Sequence, residues 1–442
     1  MFANDHDTIF APASGIGRAA IAVLRLSGPT CSDALKAIAP GADFPDRCAV
    51  LRTLRHPESR EALDRALITR FQAPRSFTGE EMAELSVTGG RAVLSAVVKA
   101  LALVPGLRLA EPGEFAWRAF MNGKIDLAEV EGLADLVEAE TEAQRRQAQA
   151  IAGGALSREC EAIRSKLLEV MAAVETQIDF TDVEDASDFT LDSVRAAARD
   201  AIARIDRALL TADAAQRLRD GFTVVIAGPP NVGKSTLMNA LAGRDVAITS
   251  PIPGTTRDLI EVFLDLRGYP VILVDTAGIR ESRDPIEQDG VARAQRRAES
   301  ADLALWLDDR GDGPAPELTS PTLAVRTKID LTEPPMSVAD SKTLAISART
   351  GAGVDRLLDA IADLAEERMV SREPALLTLE RHRRAFQDAR EALASALRPE
   401  TTEPELIAED LRCAASVMDR VVGRIGVEDV LGEIFARLCV GK

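Results

Sequence analysis

Apolar and polar positions divide this chain into stretches of distinct character. From residue 1 to about 118, short apolar runs alternate with Gly and Pro punctuation. AAIAVLRLSG (19–28) reads as a strand ending in a turn, and ALITRFQAP (66–74) and EEMAELSV (80–87) as two more. GRAVLSAVVKALALVPG (90–106) reads as a helix stopped by Pro-Gly. This mixture predicts a small α+β domain over 1–118. From 119 to 215 the chain is rich in Ala, Glu, Arg and Leu, and Gly and Pro are scarce. The pattern there predicts long amphipathic helices at 127–153, 157–180 and 193–221, interrupted by the acidic run DVEDASD (182–188). Residues 222 to about 368 alternate strand and helix, the signature of a doubly wound, mostly parallel α/β sheet. Helical periodicity returns over 369–442, at 374–397, 404–425 and 427–439. Helical material on both sides of an α/β unit predicts one helical domain with a nucleotide domain inserted into it. The expected fold class is α/β plus α.

Composition narrows the partners. The 442 residues suffice for two to four domains with sizeable cores. A formal net charge of −17 argues against a generic nucleic-acid or anionic-membrane surface, and aromatics at 4% leave no obvious platform for stacking bases. The five cysteines (Cys31, Cys48, Cys160, Cys413, Cys439) form no CxxC pair and no cluster with histidine, which speaks against zinc. Scattered thiols fit a reducing compartment. The acidic start MFANDHDTIF has no apolar signal core, and no apolar run approaches the ~18 residues of a membrane span. A cytoplasmic protein is expected.

The chemistry is densest at one loop. FTVVIAG (222–228) is an apolar, β-rich run. GPPNVGKS (228–235) follows it, and then the helical TLMNALAG. Strand, Gly-rich loop and helix in this order make a phosphate cradle. Glycines let backbone N–H groups turn toward phosphates, and the helix adds its positive N-terminus. Lys234 can reach the β/γ oxygens and Ser235 can ligate Mg²⁺. Four further segments follow. GTTRD (254–258) offers a threonine, Thr255 or Thr256, as second Mg²⁺ ligand, and YPVILVDTAGI (269–279) brings an Asp toward the metal and a Gly toward the γ-phosphate. LAVRTKID (323–330) ends in Asp330, which can accept from guanine N1–H and N2–H₂, a donor pair that adenine lacks. LAISART (344–350) can back guanine O6 with a main-chain N–H. The set, each member at a strand end, resembles GTPases of the translation-factor class.

Two positions depart from an ordinary small GTPase. Ile279 follows DTAG, where a glutamine would orient the attacking water. Asn231 within the loop is then a candidate ligand for a monovalent cation supplying transition-state charge. Thr327 stands where the guanine motif commonly has Asn; it keeps a hydroxyl but loses the amide's paired donor and acceptor, so guanine binding is expected to survive in weakened form. The terminal Cys439, after an amphipathic helix, reads as a buried helix-end thiol or a reactive one; CVGK does not fit prenylation.

Beyond the GTPase motifs, the chain resembles the MnmE (TrmE) family of tRNA modification GTPases over essentially its full length. The resemblance rests on DTIFAPASGIGRAAIAVLRLSGP (7–29), RSFTGEEMAEL (75–85), PGEFAWRAFMNGKIDLAEVEGLADLVEAET (112–141), the phosphate loop with its Asn, SPIPGTTRD (250–258), DTAGIRE (275–281) and the terminal CVGK. It implies a folate-binding and dimerisation domain over 1–118, a helical domain at 119–215 and 369–442, and a G domain at 216–368. It implies a potassium-stimulated GTPase that works with a flavin (FAD) protein of the MnmG (GidA) type on the wobble uridine of certain tRNAs. A 5-formyl- or methylene-tetrahydrofolate would contribute the one-carbon unit to a 5-carboxymethylaminomethyl- or aminomethyl-type group. By resemblance, GTP and its ions meet Asn231, Val232, Gly233, Lys234, Ser235 and Thr236, then Ser250, Pro251, Ile252, Pro253, Gly254, Thr255 and Thr256. Asp275, Thr276, Ala277 and Gly278 follow, then Lys328 and Asp330, and last Ser347, Ala348 and Arg349. Among these, Asn231, Ser250, Ile252 and Thr255 match the K⁺ site, and Ser235 and Thr256 the Mg²⁺ ligands. Glu287 in DPIEQDG matches a glutamate that positions the attacking water, replacing the function absent at Ile279. Glu287, Lys234 and Cys439 are the candidate catalytic residues; Arg25, Glu84, Lys124 and Lys442 match the folate pocket. SVTGG (86–90) departs from the family's histidines, and TKID from its NKxD.

Other classes remain to be weighed. A regulatory assembly-switch GTPase of the ribosome-biogenesis type would have no need of a folate pocket or the CVGK tail, and Asp330 with the SAR loop argues against an ATPase.

Overall fold

The computed structural model describes residues 7–15, 17–41, 43–179, 191–248, 261–275, 301–309, 320–331, 344–370, 375–398, 401 and 403–425; near the C-terminus it describes 431, 434, 435, 438 and 441. The chain forms two compact units: residues 1–134, 152–162 and 416–442 in the first, and 135–151 with 163–415 in the second.

The first unit is built on a six-stranded sheet. Its strands are β1 (Thr8–Pro12), β2 (Ile21–Ser27), β3 (Ala49–Arg55), β4 (Ala62–Phe71), β5 (Met82–Thr88) and β6 (Leu107–Leu109), in the order β3-β4-β5-β2-β1-β6. Neighbours are antiparallel except β1 and β6. Period-two alternation decides the faces. Ala22, Leu24, Leu26, Ala66, Ile68, Ala83, Leu85 and Val87 turn to one side, under helices α1 (Cys31–Ile38) and α2 (Arg91–Ala102). Ile21, Leu51 and Leu67 keep exposed side chains. Arg25 and Glu84 pair across β2 and β5. Helices α3 (Glu114–Met121) and α4 (Leu127–Glu138) follow the sheet. Trp117, Leu127 and Val130 pack there with Leu431, Ile434, Phe435 and Leu438 from the chain's end.

The expected helix over 127–153 is broken. It becomes α4 and α5 (Glu142–Ala152). The cause is a capping box: the Gln144 amide donates to Thr141 Oγ1 at 3.4 Å, and Thr141 N–H donates to Gln144 Oε1 at 3.1 Å. After α6 (Ala155–Asp179), the stretch predicted as one helix over 193–221 is likewise two, α7 (Leu191–Leu210) and α8 (Ala212–Asp220). They part at Thr211, whose hydroxyl donates back to Ala208 O at 3.0 Å.

The nucleotide-domain sheet has the order β12-β11-β10-β7-β9-β8. Its members are β7 (Phe222–Ala227), β8 (Glu261–Leu266), β9 (Tyr269–Asp275), β10 (Leu303–Asp308), β11 (Thr322–Arg326) and β12 (Leu344–Ala345). All pairs are parallel except the β8–β9 hairpin. β7 lies between β9 and β10, so Phe222, Val224 and Ile226 are buried together with Leu273 and Leu305. Helices α9 (Lys234–Ala242) and α10 (Val354–Met369) close that core, and α11 (Glu380–Ala396) and α12 (Pro404–Val421) complete the described helices.

Candidate functional site

Strand order runs outward from β7 in both directions, to β9 on one side and β10 on the other, and the loop leaving its carboxyl end opens at that switch point, where ligands of such sheets bind. Gly228 begins the loop at φ +148°, and a side chain there would meet Leu307 O at 2.5 Å. Asn231 holds a left-handed backbone at φ +62°, and Gly233 caps α9 at φ +106°. These values turn the loop around the helix N-terminus, where backbone N–H groups and the helix dipole favour an anion. The Lys234 ammonium donates to Gly228 O at 2.8 Å and Pro229 O at 3.1 Å, so it lies along the loop. Thr236 is exposed beside it on α9, and Val232 is buried beneath the loop.

Ser235 Oγ donates to Asp275 Oδ2 at 3.3 Å, joining the first helix to the end of β9. Two hard oxygens at a phosphate-binding terminus fit Mg²⁺. No cluster of three or more His, Cys, Asp or Glu is assembled among the described residues. Mg²⁺ commonly takes few protein ligands and completes its shell with water and phosphate oxygens. Asn231 is exposed, and its amide chemistry fits a monovalent cation.

The base end of the site is tied to the loop. Thr327 is buried, and its hydroxyl donates to Val232 O at 2.8 Å, bridging β11 to the phosphate loop. Lys328, at φ +56°, pairs with Asp309 at 2.8 Å. Asp330 is exposed on the 3-10 turn Ile329–Leu331. Ser347 is fully buried; its Oγ accepts from Thr350 N–H at 3.2 Å, shaping the loop that carries Ala348 and Arg349. Sequence reasoning missed the Thr327–Val232 and Lys328–Asp309 links. Only LDD (307–309) at a strand end hinted at the second.

In the first unit, Arg25 donates through Nη2 and Nε to Glu84 Oε1 at 2.8 and 3.1 Å. Its Nη1 donates to Gly441 O at 3.3 Å. Its guanidinium carbon lies 5.3 Å from the Phe77 ring centre and 5.8 Å from that of Phe115. Neither ring was singled out from the sequence. Lys124 is exposed, with its stem beside Gly79. Nearby, Arg118 bridges Glu80 at 3.2 Å and Glu114 at 3.1 Å, and Arg108 meets Glu114 at 2.6 Å. Burial pushes the Glu114 carboxyl up, but hydrogen bonds from Arg108 and the Glu111 amide, with the Arg108 and Arg118 charges, hold it net below the usual carboxylate range.

Ser250, Pro251, Ile252, Pro253, Gly254, Thr255, Thr256, Thr276, Ala277, Gly278, Glu287, Cys439 and Lys442 lie outside the described residues.

Fold and site together define a P-loop protein of the GTPase class. Residues 8–124 match the family described as GTP-binding protein TrmE N-terminus, and residues 127–439 match the MnmE helical domain. A protein of Beijerinckia indica subsp. indica is 50% identical over 438 residues, covering 99% of this chain and 96% of its own length. One of Methylobacterium sp. (strain 4-46) is 51% identical over 443 residues, covering 99% and 100%. Both carry the name tRNA modification GTPase MnmE. The chain belongs to the MnmE family. Among solved structures, the G domain of the T. maritima FeoB iron transporter is 26% identical over 32% of this chain and 98% of its own, with a TM-score of 0.23. No helix among the described residues is long and apolar enough to cross a membrane.

Proposed function

We propose that this chain hydrolyses GTP in the modification of tRNA wobble uridines. It would act with a flavin-dependent partner of the MnmG type to install a 5-carboxymethylaminomethyl- or aminomethyl-type group. The observation that carries the GTPase reading is the joined site: Gly233 at the start of α9, Ser235 Oγ 3.3 Å from Asp275, and Thr327 bound to the loop at Val232. Family membership supports the tRNA role.

In this reading, Lys234 exchanges the Gly228 and Pro229 carbonyls for β/γ-phosphate oxygens when GTP enters. Val232, Gly233 and Thr236 line the phosphates, and Asp330 with the Ser347–Arg349 loop selects guanine. Ser235 and Thr256 hold Mg²⁺; Asn231, Ser250, Ile252 and Thr255 hold K⁺. Bound there, the two ions neutralise negative charge on the phosphates. Glu287 positions the attacking water. Arg25 and Glu84, with Lys124 and Lys442, bind a 5-formyl- or methylene-tetrahydrofolate, and Cys439 is a candidate for chemistry there. The N-terminal domains pair as a homodimer; exposed Ile21, Leu51 and Leu67 supply apolar area for such a contact.

The test is mass analysis of wobble uridines in tRNA from cells lacking this protein. Loss of the modified nucleoside is expected. An unchanged profile overturns the proposal.

A further inference from the structure

Two glycines let the chain's end lie unusually close to the N-terminal sheet. Gly113, at φ +74°, faces the Phe435 backbone: an added side chain would strike the Phe435 carbonyl and lie 3.1 Å from its Cα. Phe435 itself is buried, with its ring edge-on to Trp117 at 5.2 Å. Six residues further on, Gly441 is buried at φ +103°. A side chain there would strike Pro12 O and come within 2.8 Å of Ala13 Cα. These are backbone atoms at the end of β1, and they cannot rotate away.

At that seat Gly441 turns its carbonyl to Arg25. Among the described residues, Arg25 spends two N–H groups on Glu84 and one on Gly441. The carboxylate fixes the guanidinium plane from one side, the terminal carbonyl fixes it from another, and Phe77 and Phe115 flank it. Two of its five donors are left for an acceptor on a ligand.

We infer that Gly441 is a positioning residue of the folate pocket: its lack of a side chain seats the tail on β1, and its carbonyl aims Arg25. This rests on the folate reading proposed above. A methyl group at 441 lifts the tail, frees the guanidinium on one side, and weakens binding of the one-carbon folate.

The experiment is calorimetric titration of the full chain with 5-formyltetrahydrofolate, with thermal midpoints recorded alongside. Gly441→Ala is expected to bind at least about tenfold more weakly at an unchanged midpoint. Gly41→Ala is the control for left-handed backbone strain, since Gly41 has φ +72° with nothing within 4 Å of an added side chain. It is expected to bind like the unaltered chain. A second comparison avoids any folding defect. A chain ending at Gly441 loses Lys442 alone and keeps an acceptor oxygen for Arg25, whereas one ending at Val440 loses both, and the second is expected to bind at least about tenfold more weakly than the first. Equal affinities in both comparisons overturn the inference alone. No binding by the unaltered chain overturns the folate reading and this inference with it.

Discussion

At Thr327 a hydroxyl stands where the guanine motif commonly carries an amide, and it spends its proton on Val232 O, 95 residues away. A short side chain can therefore still tie the base end of the site to the phosphate loop. Thr327→Val keeps the shape and leaves a buried carbonyl unpaired, a cost of about 1–3 kcal/mol. Urea unfolding of the variant is expected to show that loss, together with weaker GDP binding, and Thr327→Ser is expected to restore both. Unaltered stability and affinity would count against the bridge. For Glu287, a residue that places water is expected to matter in the chemical step. Glu287→Ala should lower kcat for GTP by about 10²-fold or more while KM changes little. A shift confined to KM would instead make Glu287 a binding residue.

Element boundaries in the helical stretches depend on single polar side chains. Thr141 is buried at the start of α5 and exchanges hydrogen bonds with Gln144, while the Ala143 amide donates to Gly268 O in the β8–β9 turn at 3.1 Å. Thr141→Ala removes one half of the box, and a loss of about 1 kcal/mol in equilibrium unfolding is expected. The α3 region carries a different signature. Because the folded Glu114 carboxyl is held below its unfolded value of 4.5, its ionised form stabilises the fold above that pH. That contribution is lost as pH falls through the lower, folded value. Unfolding midpoints followed from pH 6 downward should therefore drop below about pH 4.5, and Glu114→Gln should flatten the drop by removing the titrating group. An equal slope in the variant would assign the acid sensitivity elsewhere.

For the whole molecule, the net charge of −17 favours a tRNA surface shared with, or dominated by, a partner. If K⁺ takes the place of an arginine finger, GTP turnover should be markedly faster in K⁺ than in Na⁺ at equal ionic strength. Equal rates would remove the cation from the mechanism. Light scattering is expected to give twice the chain mass without nucleotide, and Leu51→Glu, on the exposed sheet face, should shift the particle toward one chain.

The phosphate loop was legible because its parts are contiguous. An apolar strand, the glycines and the lysine follow one another in a few residues, and φ values near +106° at Gly233 and +148° at Gly228 are a local demand that glycine meets without steric cost. The alternation of strand and helix likewise marked the α/β sheet. Periodicity ran through 127–153 without a visible stop, since a capping box inside a helical pattern resembles ordinary helix surface until its hydrogen bonds form. The helical residues read from the sequence as one domain divide by contact between the two units. The sequence by itself determined the nucleotide chemistry, written in neighbouring residues. Only the tertiary structure decided what holds Arg25 and Thr327: their partners lie 416 and 95 residues away, where chain spacing carries no information about proximity.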